Sequence, residues 1–236
     1  MGSSLSTNKN KKELLEEAHS CQLCPRMGCS RKVLSDRNGD WSAEILFVAE
    51  APGRLGAEVT GIPLFGDRTG DRFDEILAHM KLRRSDVFLT NVVLCNPRDN
   101  AGNNDTPTRL EINNCFSFLK RTIQYVDPTV VIALGRVALE ALKRIDGHGL
   151  SLKESVGRLH SWNGRHLGVL YHPGPRTAIH RPWKLQLEDA KKLGLSASFL
   201  AKKKNHFHGA SKSDFLLELI ERTKGRRLPI SDWGAE

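Results

Sequence analysis

Four short apolar runs divide the middle of this chain, and each gives way to a segment with helical periodicity. Residues 44–49 (EILFVA), 87–94 (VFLTNVVL) and 129–135 (TVVIALG) have the length and β-branched content of strands. The fourth run is the second arm of RLHSWNGRHLGVLYHP, which reads as a hairpin turning at Asn163–Gly164 and ending at His172. Helical stretches follow in turn. They are DRFDEILAHM near 71–80, a helix opened by the capping box Thr108-Arg-Leu-Glu111, RVALEALKRI after Gly135, and RPWKLQLEDAKKLG over 181–194 with Gly194 as its stop. Strands that are apolar on both faces and alternate with helices belong to a parallel sheet covered on both sides. The expected fold class is α/β, a three-layer α/β/α arrangement around a mainly parallel, four-stranded central sheet.

Ligands of such sheets bind beyond the carboxyl ends of the strands. Just past the first run stands Glu50-Ala-Pro-Gly53. The second contains Thr90-Asn91 and runs into Cys95-Asn96-Pro97, the third ends in Leu134-Gly135, and the fourth in His172-Pro173-Gly174. An acid, an amide and an imidazole are thus expected at one end of one sheet. Each has an ordinary account when taken singly. Asn91 on a doubly covered strand needs its donors and acceptors paired, and either neighbouring backbone or a ligand can supply the partners. The loop from Gly61 to Gly70 is rich in turn residues, lets a ligand approach its backbone, and offers Leu64 or Phe65 to cover one face of a flat base. No GxxxxGK[ST] phosphate loop is present, which leaves ATP chemistry unsupported.

The cysteines add a second constellation. Cys21-Gln-Leu-Cys24 with Cys95 and Cys115 can close one four-thiolate site, leaving Cys29 over. Such a site suits zinc or an iron–sulfur cluster, and spacing does not choose between them. The alternative is that Cys95 and Cys115 are buried thiols of the core.

The 236 residues carry a formal net charge of +9, which points to a polyanionic partner such as nucleic acid. The longest apolar runs fall far short of the ~20 residues of a membrane span, and the start MGSSLSTNKNKKELLEE has no apolar leader. The expectations are a cytoplasmic protein (nucleoid-associated if prokaryotic), no membrane, and a monomer. Three parts are expected: a flexible N-terminal tail over 1–14, a globular domain over 15–195, and a basic linker with a C-terminal helix (DFLLELIERTKG) over 196–236.

Taken together, these motifs resemble the uracil-DNA glycosylase superfamily, most closely its family 4 iron–sulfur enzymes, over about residues 15–195. The family's CxxC is Cys21 and Cys24. Its first catalytic motif, Gly-Glu-Ala-Pro-Gly, is Ala49-Glu50-Ala51-Pro52-Gly53. Its strand-two motif is Thr90-Asn91-Val92-Val93-Leu94-Cys95-Asn96-Pro97, followed by Pro107, Glu111 and Cys115. Its Pro-to-Leu-Gly strand is Pro128 to Gly135, and its His-Pro-Ser is His172-Pro173-Gly174. Three departures stand out. Gly174 replaces Ser. The family's Pro-Phe-Val-Gly is Pro63-Leu64-Phe65-Gly66, in a stretch closer to family 5. The segment from Asn96 to Arg109 has no His, unlike the relatives that cross-link covalently to uracil-DNA.

The resemblance implies an enzyme that cuts the N-glycosidic bond of uracil in DNA and leaves an abasic site. Glu50 and His172 would be catalytic. Ala51, Leu64, Phe65 and Asn91 would bind uracil. Arg176 and Arg181 would contact phosphates and Ile179 would wedge into the helix. Cys21, Cys24, Cys95 and Cys115 would hold a structural 4Fe-4S cluster, with zinc as the alternative. The competing functions are a glycosylase for another deaminated base such as hypoxanthine, a noncatalytic binder of uracil-containing DNA, and a zinc-stabilised nucleotide-binding domain.

Overall fold

The computed structural model describes residues 2–207. Helix α1 (Gly2–Ser20) leads through a 3-10 turn at Pro25–Met27 and another at Asp36–Asn38 to β1 (Ile45–Ala49). There follow α2 (Ala57–Thr60), α3 (Arg68–Met80), β2 (Phe88–Asn91), α4 (Arg109–Val126), β3 (Val130–Leu134), α5 (Arg136–Lys143) and α6 (Leu152–Ser155). The hairpin of β4 (Leu159–Trp162) and β5 (Arg165–Leu170), a 3-10 turn at Pro175–Ile179, and α7 (Trp183–Phe207) complete the order.

The strands form one sheet in the order β2-β1-β3-β5-β4. The first four are parallel, and β4 runs antiparallel to β5 at the edge. The sheet therefore has five strands rather than the four expected. The first arm of the hairpin pairs over its full length, because the left-handed residues Asn163 (φ 47°) and Gly164 (φ 67°) make a tight turn that holds the two arms in register.

All residues of β1 and β3 are buried, and they alternate between the two faces. Leu46, Val48, Val131 and Ala133 join a core cluster with Leu14, Leu119, Ile123 and Leu139, from α1, α4 and α5. Ile45, Phe47, Val130 and Ile132 join the other cluster, with Phe73, Ile76 and Met80 of α3 and Leu193 of α7. Burying a leucine- or phenylalanine-sized side chain contributes ~1.5–3 kcal/mol, so these two layers carry most of the driving force for the fold.

Both ends of the domain differ from the sequence reading. Residues 2–14, expected as a tail, are helical, and Leu14 and Ala18 of α1 are buried in the core. At the other end α7 does not stop at Gly194. A Cβ there would come 2.6 Å from the Met80 Cα, so this glycine lets α7 lie against the end of α3. Among the described residues, the compact unit that holds the sheet ends at Ala201. The expected C-terminal helix DFLLELIERTKG lies outside the described residues.

Candidate active site

Strand register brings the acid, the amide and the imidazole to one level. Asn91, the last residue of β2, pairs with Ala49 of β1, and Glu50 is the next residue. On the other flank of β1, Val48 pairs with Ala133, and Leu134 of β3 pairs with Leu170 of β5. Gly135, at φ +91°, donates its N–H to the Leu170 carbonyl at 2.8 Å. A Cβ on Gly135 would stand 3.2 Å from the His172 Cβ, so a side chain there would crowd the imidazole. Glu50, Asn91 and His172 therefore stand at the carboxyl ends of β1, β2 and β5, strands spaced at intervals of about 4.8 Å.

Each of the three is held in an unusual state. Asn91 is 2% exposed, and its Nδ2 has no hydrogen-bond partner. Leaving a buried donor unpaired costs ~1–3 kcal/mol, which a ligand's carbonyl oxygen would offset. Burial pushes the Glu50 carboxyl above its usual range. Arg136 opposes that shift, and Asp105 adds to it. The Gly174 N–H donates to His172 Nδ1 at 3.0 Å. Burial lowers the imidazole to about 4, with Asp67 pulling the other way. His172 is thus neutral at physiological pH, with Nδ1 as acceptor and its proton on Nε2.

Four further residues fix this geometry, and sequence reasoning does not single them out. Asn96, buried after β2, donates from Nδ2 to the Pro52 carbonyl at 2.6 Å and to Asn104 Oδ1 at 3.0 Å. Asn104 Oδ1 also accepts the Arg54 N–H at 2.9 Å. The loop behind Glu50 is thereby tied to the segment following β2. Asp67 caps α3, accepting the Gly70 N–H at 2.9 Å. Arg136 begins α5 and faces Glu50. Only Asn96 leaves a readable sign, its place in Cys95-Asn96-Pro97 directly past a strand.

Ala51 is half-buried against the core. Leu64 is buried, in the cluster that also holds Ala49, Leu134 and Leu170, the last residues of three strands. Its backbone is left-handed at φ 48°, and the Arg84 guanidinium bonds its carbonyl. The Phe65 ring is instead 42% exposed, with the Arg84 guanidinium 5.3 Å from its centroid. Of the two expected base-stacking side chains, Phe65 is the one at the surface.

Beyond His172, Thr177 Oγ1 lies 2.7 Å from both the His172 and Gly174 carbonyls and braces the 3-10 turn. Ile179 ends that turn 85% exposed, and Arg176 is exposed beside it. Arg181, expected to contact phosphates, is already engaged. Its Nη2 bonds Asp189 Oδ1 at 2.7 Å and its Nε bonds Oδ2, and Asp189 is buried. Removing one partner of such a pair leaves the other charge uncompensated, so this pair fastens the loop to α7.

The cysteines form a separate corner. Cys21 follows α1, Cys24 precedes the turn at Pro25–Met27, Cys95 lies past β2, and Cys115 is in α4. Burial raises Cys95 to about 12, and the Cys115, Cys21 and Cys24 thiols lie near enough to add to that rise. Burial likewise raises Cys115 to about 11, with Cys24 and Cys21 again contributing. All four thiols thus share one neighbourhood, while Cys29 is exposed. Asn114 Nδ2 donates to the Leu23 carbonyl at 3.0 Å and lies 3.4 Å from Cys24 Sγ. The Arg26 guanidinium takes Glu111 in a fork, at 2.9 and 2.7 Å, fastening the CxxC segment to α4. Among the described residues, no three His, Cys, Asp or Glu close around a point that a single metal ion could occupy. A donor set of four neighbouring thiols suits an iron–sulfur cluster or zinc.

No helix among the described residues is long and apolar enough to cross a membrane. Residues 37–191 match the family model for the Uracil DNA glycosylase superfamily. The chain is 33% identical over 190 residues to the Type-4 uracil-DNA glycosylase of Thermotoga maritima, covering 79% of this chain and 93% of that protein. It is 32% identical to the Type-4 enzyme of Archaeoglobus fulgidus, covering 77% and 90%. The Type-5 uracil-DNA glycosylase of Pyrobaculum aerophilum is more distant, at 27% identity over 66% of this chain and 78% of that protein.

Proposed function

The chain belongs to the uracil-DNA glycosylase superfamily, and from that premise we propose that it hydrolyses the N-glycosidic bond of uracil in DNA to leave an abasic site. The observation that carries this reading is the buried, unpartnered Asn91 amide, level with Glu50 and His172. A base entering such a site must first leave the stack, at a cost of a few kcal/mol. Uracil presents a carbonyl at O4 and an N–H at N3. The Asn91 Nδ2 donates to O4, and its carbonyl oxygen accepts from N3–H. Cytosine offers a donor and a bare nitrogen there, so it would leave buried groups of the site mismatched.

Cleavage develops negative charge on uracil O2 and positive charge on the deoxyribose. Neutral His172, donating from Nε2 while Nδ1 is held by Gly174, stabilises the departing anion without a prior protonation step. Ionised Glu50 offsets the sugar's charge and orients the attacking water, and Arg136 favours that ionised form. Phe65 covers the base, and the exposed Ile179 wedges into the gap it vacates, with Arg176 at a phosphate. Cys21, Cys24, Cys95 and Cys115 hold a 4Fe-4S cluster, which supplies structural cross-linking when bound. The protein acts as a monomer in the cytoplasm, at the nucleoid if its source is prokaryotic.

The test is incubation of the purified protein with duplexes each carrying one uracil, hypoxanthine or undamaged base, followed by hot alkali. Scission at uracil is the expected result. Retention of uracil-DNA without scission would establish a binder instead, and cutting confined to hypoxanthine would move the specificity. A brown preparation with broad visible absorbance and bound iron supports the cluster, whereas a colourless protein carrying zinc overturns it.

A further inference from the structure

With Arg181 engaged by Asp189, the loop between β5 and α7 presents one exposed arginine, Arg176. A strand of DNA crossing the carboxyl ends of the sheet needs phosphate contacts on the other side as well. A pocket of about 400 Å³ lies there, lined by His19, Arg31, Lys32, Ser35, Arg37 and Gly61. These residues come from the end of α1, the segment leading to β1, and the close of α2, and no local pattern in the sequence joins them.

Backbone and side-chain bonds fix its position. The Val33 N–H donates to the Leu94 carbonyl at 2.8 Å, Ser30 Oγ to the Asn96 carbonyl at 3.1 Å, and Asn38 Nδ2 to the Leu89 carbonyl at 2.7 Å. The segment carrying Arg31, Lys32 and Arg37 therefore runs beside β2 and its exit. The other wall, Gly61, belongs to the connection from β1 to α3 that also carries Glu50 and Phe65. The pocket lies on the β2 side of the candidate site, opposite the loop of Arg176 and Ile179.

The lining is one-sided in charge. Among the described residues, no carboxylate lies within ion-pair distance of Arg31, Lys32 or Arg37. Asp36, on the same turn, bonds Lys11 and accepts from Trp41 Nε1 at 2.7 Å. Glu58 accepts the Arg31 N–H at 3.1 Å and faces Arg98 at 3.6 Å. The donors are also held in place. Arg37 Nη1 bonds the Thr60 carbonyl at 2.8 Å. Arg31 Nη1 would stand 2.6 Å from a Cβ on Gly61, so the absence of that atom lets the guanidinium lie against the backbone. Ser35 Oγ accepts the Arg37 N–H at 3.2 Å and keeps its own hydrogen to donate.

We propose that Arg31, Lys32, Ser35 and Arg37 form a phosphate subsite for the DNA backbone on the β2 side, with His19 held in the pocket wall by its Nε2 bond to the Leu34 carbonyl at 2.8 Å, so that the bound strand is held on both sides of the extruded base. This rests on the reading of the protein as an enzyme acting on DNA. The subsite recognises backbone charge and no base, so it supplies affinity and register without selecting the lesion.

The experiment measures binding of the full-length protein to uracil-free and uracil-containing duplexes by fluorescence anisotropy across a salt series, with uracil release measured in parallel. For Arg31→Ala and for Arg37→Ala, the slope of log affinity against log salt should become shallower by about 0.9 for each phosphate no longer neutralised. Affinity for both duplexes should fall by the same factor, about 3–10-fold, and KM should rise while kcat holds. Arg31→Lys should restore most of the slope. If Arg31→Ala lowers the melting temperature, Arg31→Gln, which fills the space beside Gly61 without charge, carries the comparison. An unchanged slope in folded variants overturns the proposal, as does a loss confined to kcat. So does a result in which inorganic phosphate stabilises the parent but not Arg31→Ala while their DNA slopes agree, since the pocket then takes a free anion. Because the slope is read on uracil-free DNA, a parent that binds but releases no uracil refutes the glycosylase reading and still decides the subsite.

Discussion

The carboxyl rim of the sheet and the cysteine corner both bury ionisable groups, yet they treat the cost of charge in opposite ways. At the corner, burial holds Cys95 near 12 and Cys115 near 11. The protein alone keeps them as neutral thiols, and only a bound cation converts them to thiolate ligands. At the rim the chain supplies its own compensation. Arg136 opposes the desolvation of Glu50, and the Gly174 amide holds His172 in a neutral tautomer. What the rim leaves unpaired among the described residues is neutral, Thr90 Oγ1 and Asn91 Nδ2. The corner thus needs a bound cation to become charged, whereas the rim tolerates an unpaired neutral donor at a cost of ~1–3 kcal/mol.

The sharpest way to break this comparison is to remove ligands from the corner. Cys95→Ala or Cys115→Ala should abolish bound iron and visible absorbance. Each should lower the melting temperature by about 10 °C, the fall that roughly 3 kcal/mol produces in a domain of this size. A variant that keeps its melting temperature would show the corner to be dispensable. At the rim the losses should fall on turnover instead. Glu50→Gln should slow uracil release by about 10²–10⁴-fold and His172→Ala by about 10²–10³-fold, with far-UV circular dichroism unchanged. Asn91→Asp should narrow the preference for uracil over cytosine by about 10-fold or more, measured as the ratio of kcat/KM values; an unchanged ratio would remove Asn91 from base reading.

The smallest expected effects concern pH. Glu50 has its pKa raised by folding, so its carboxylate destabilises the native state once pH climbs through that raised value. Glu50→Gln should therefore raise the melting temperature at pH 7 by about 1–2 °C, and the gain should vanish near pH 4. His172, lowered from 6.5 to about 4, has the opposite dependence. It costs nothing above pH 6.5, and stability is lost as pH falls from there towards 4. Uracil release should rise with pH through the Glu50 ionisation and then level, because His172 is neutral across that range.

The sheet and its rim were legible because local pattern carries them. A strand apolar on both faces declares itself, and Glu50, Asn91 and His172 stand where such strands end. What escaped the sequence was decided by contacts distant along the chain. Nothing local marks Asp189, eight residues on, as the partner that fastens Arg181 to α7. Gly194 has the look of a helix stop, yet it serves close approach to Met80. The polar opening of α1 hides a helix whose Leu14 and Ala18 pack in the core with α4 residues. The basic pocket joins three segments whose proximity no periodicity announces. Between Leu64 and Phe65, only the fold shows which side chain is spent on the interior.

The Gly174 amide on the imidazole also limits what can stand at that position. A Cβ at position 174 would stand 2.9 Å from His172 Nδ1, so any side chain there presses on the ring that the backbone amide holds. A redesign of this loop should therefore move residue 174 and the histidine's seat together.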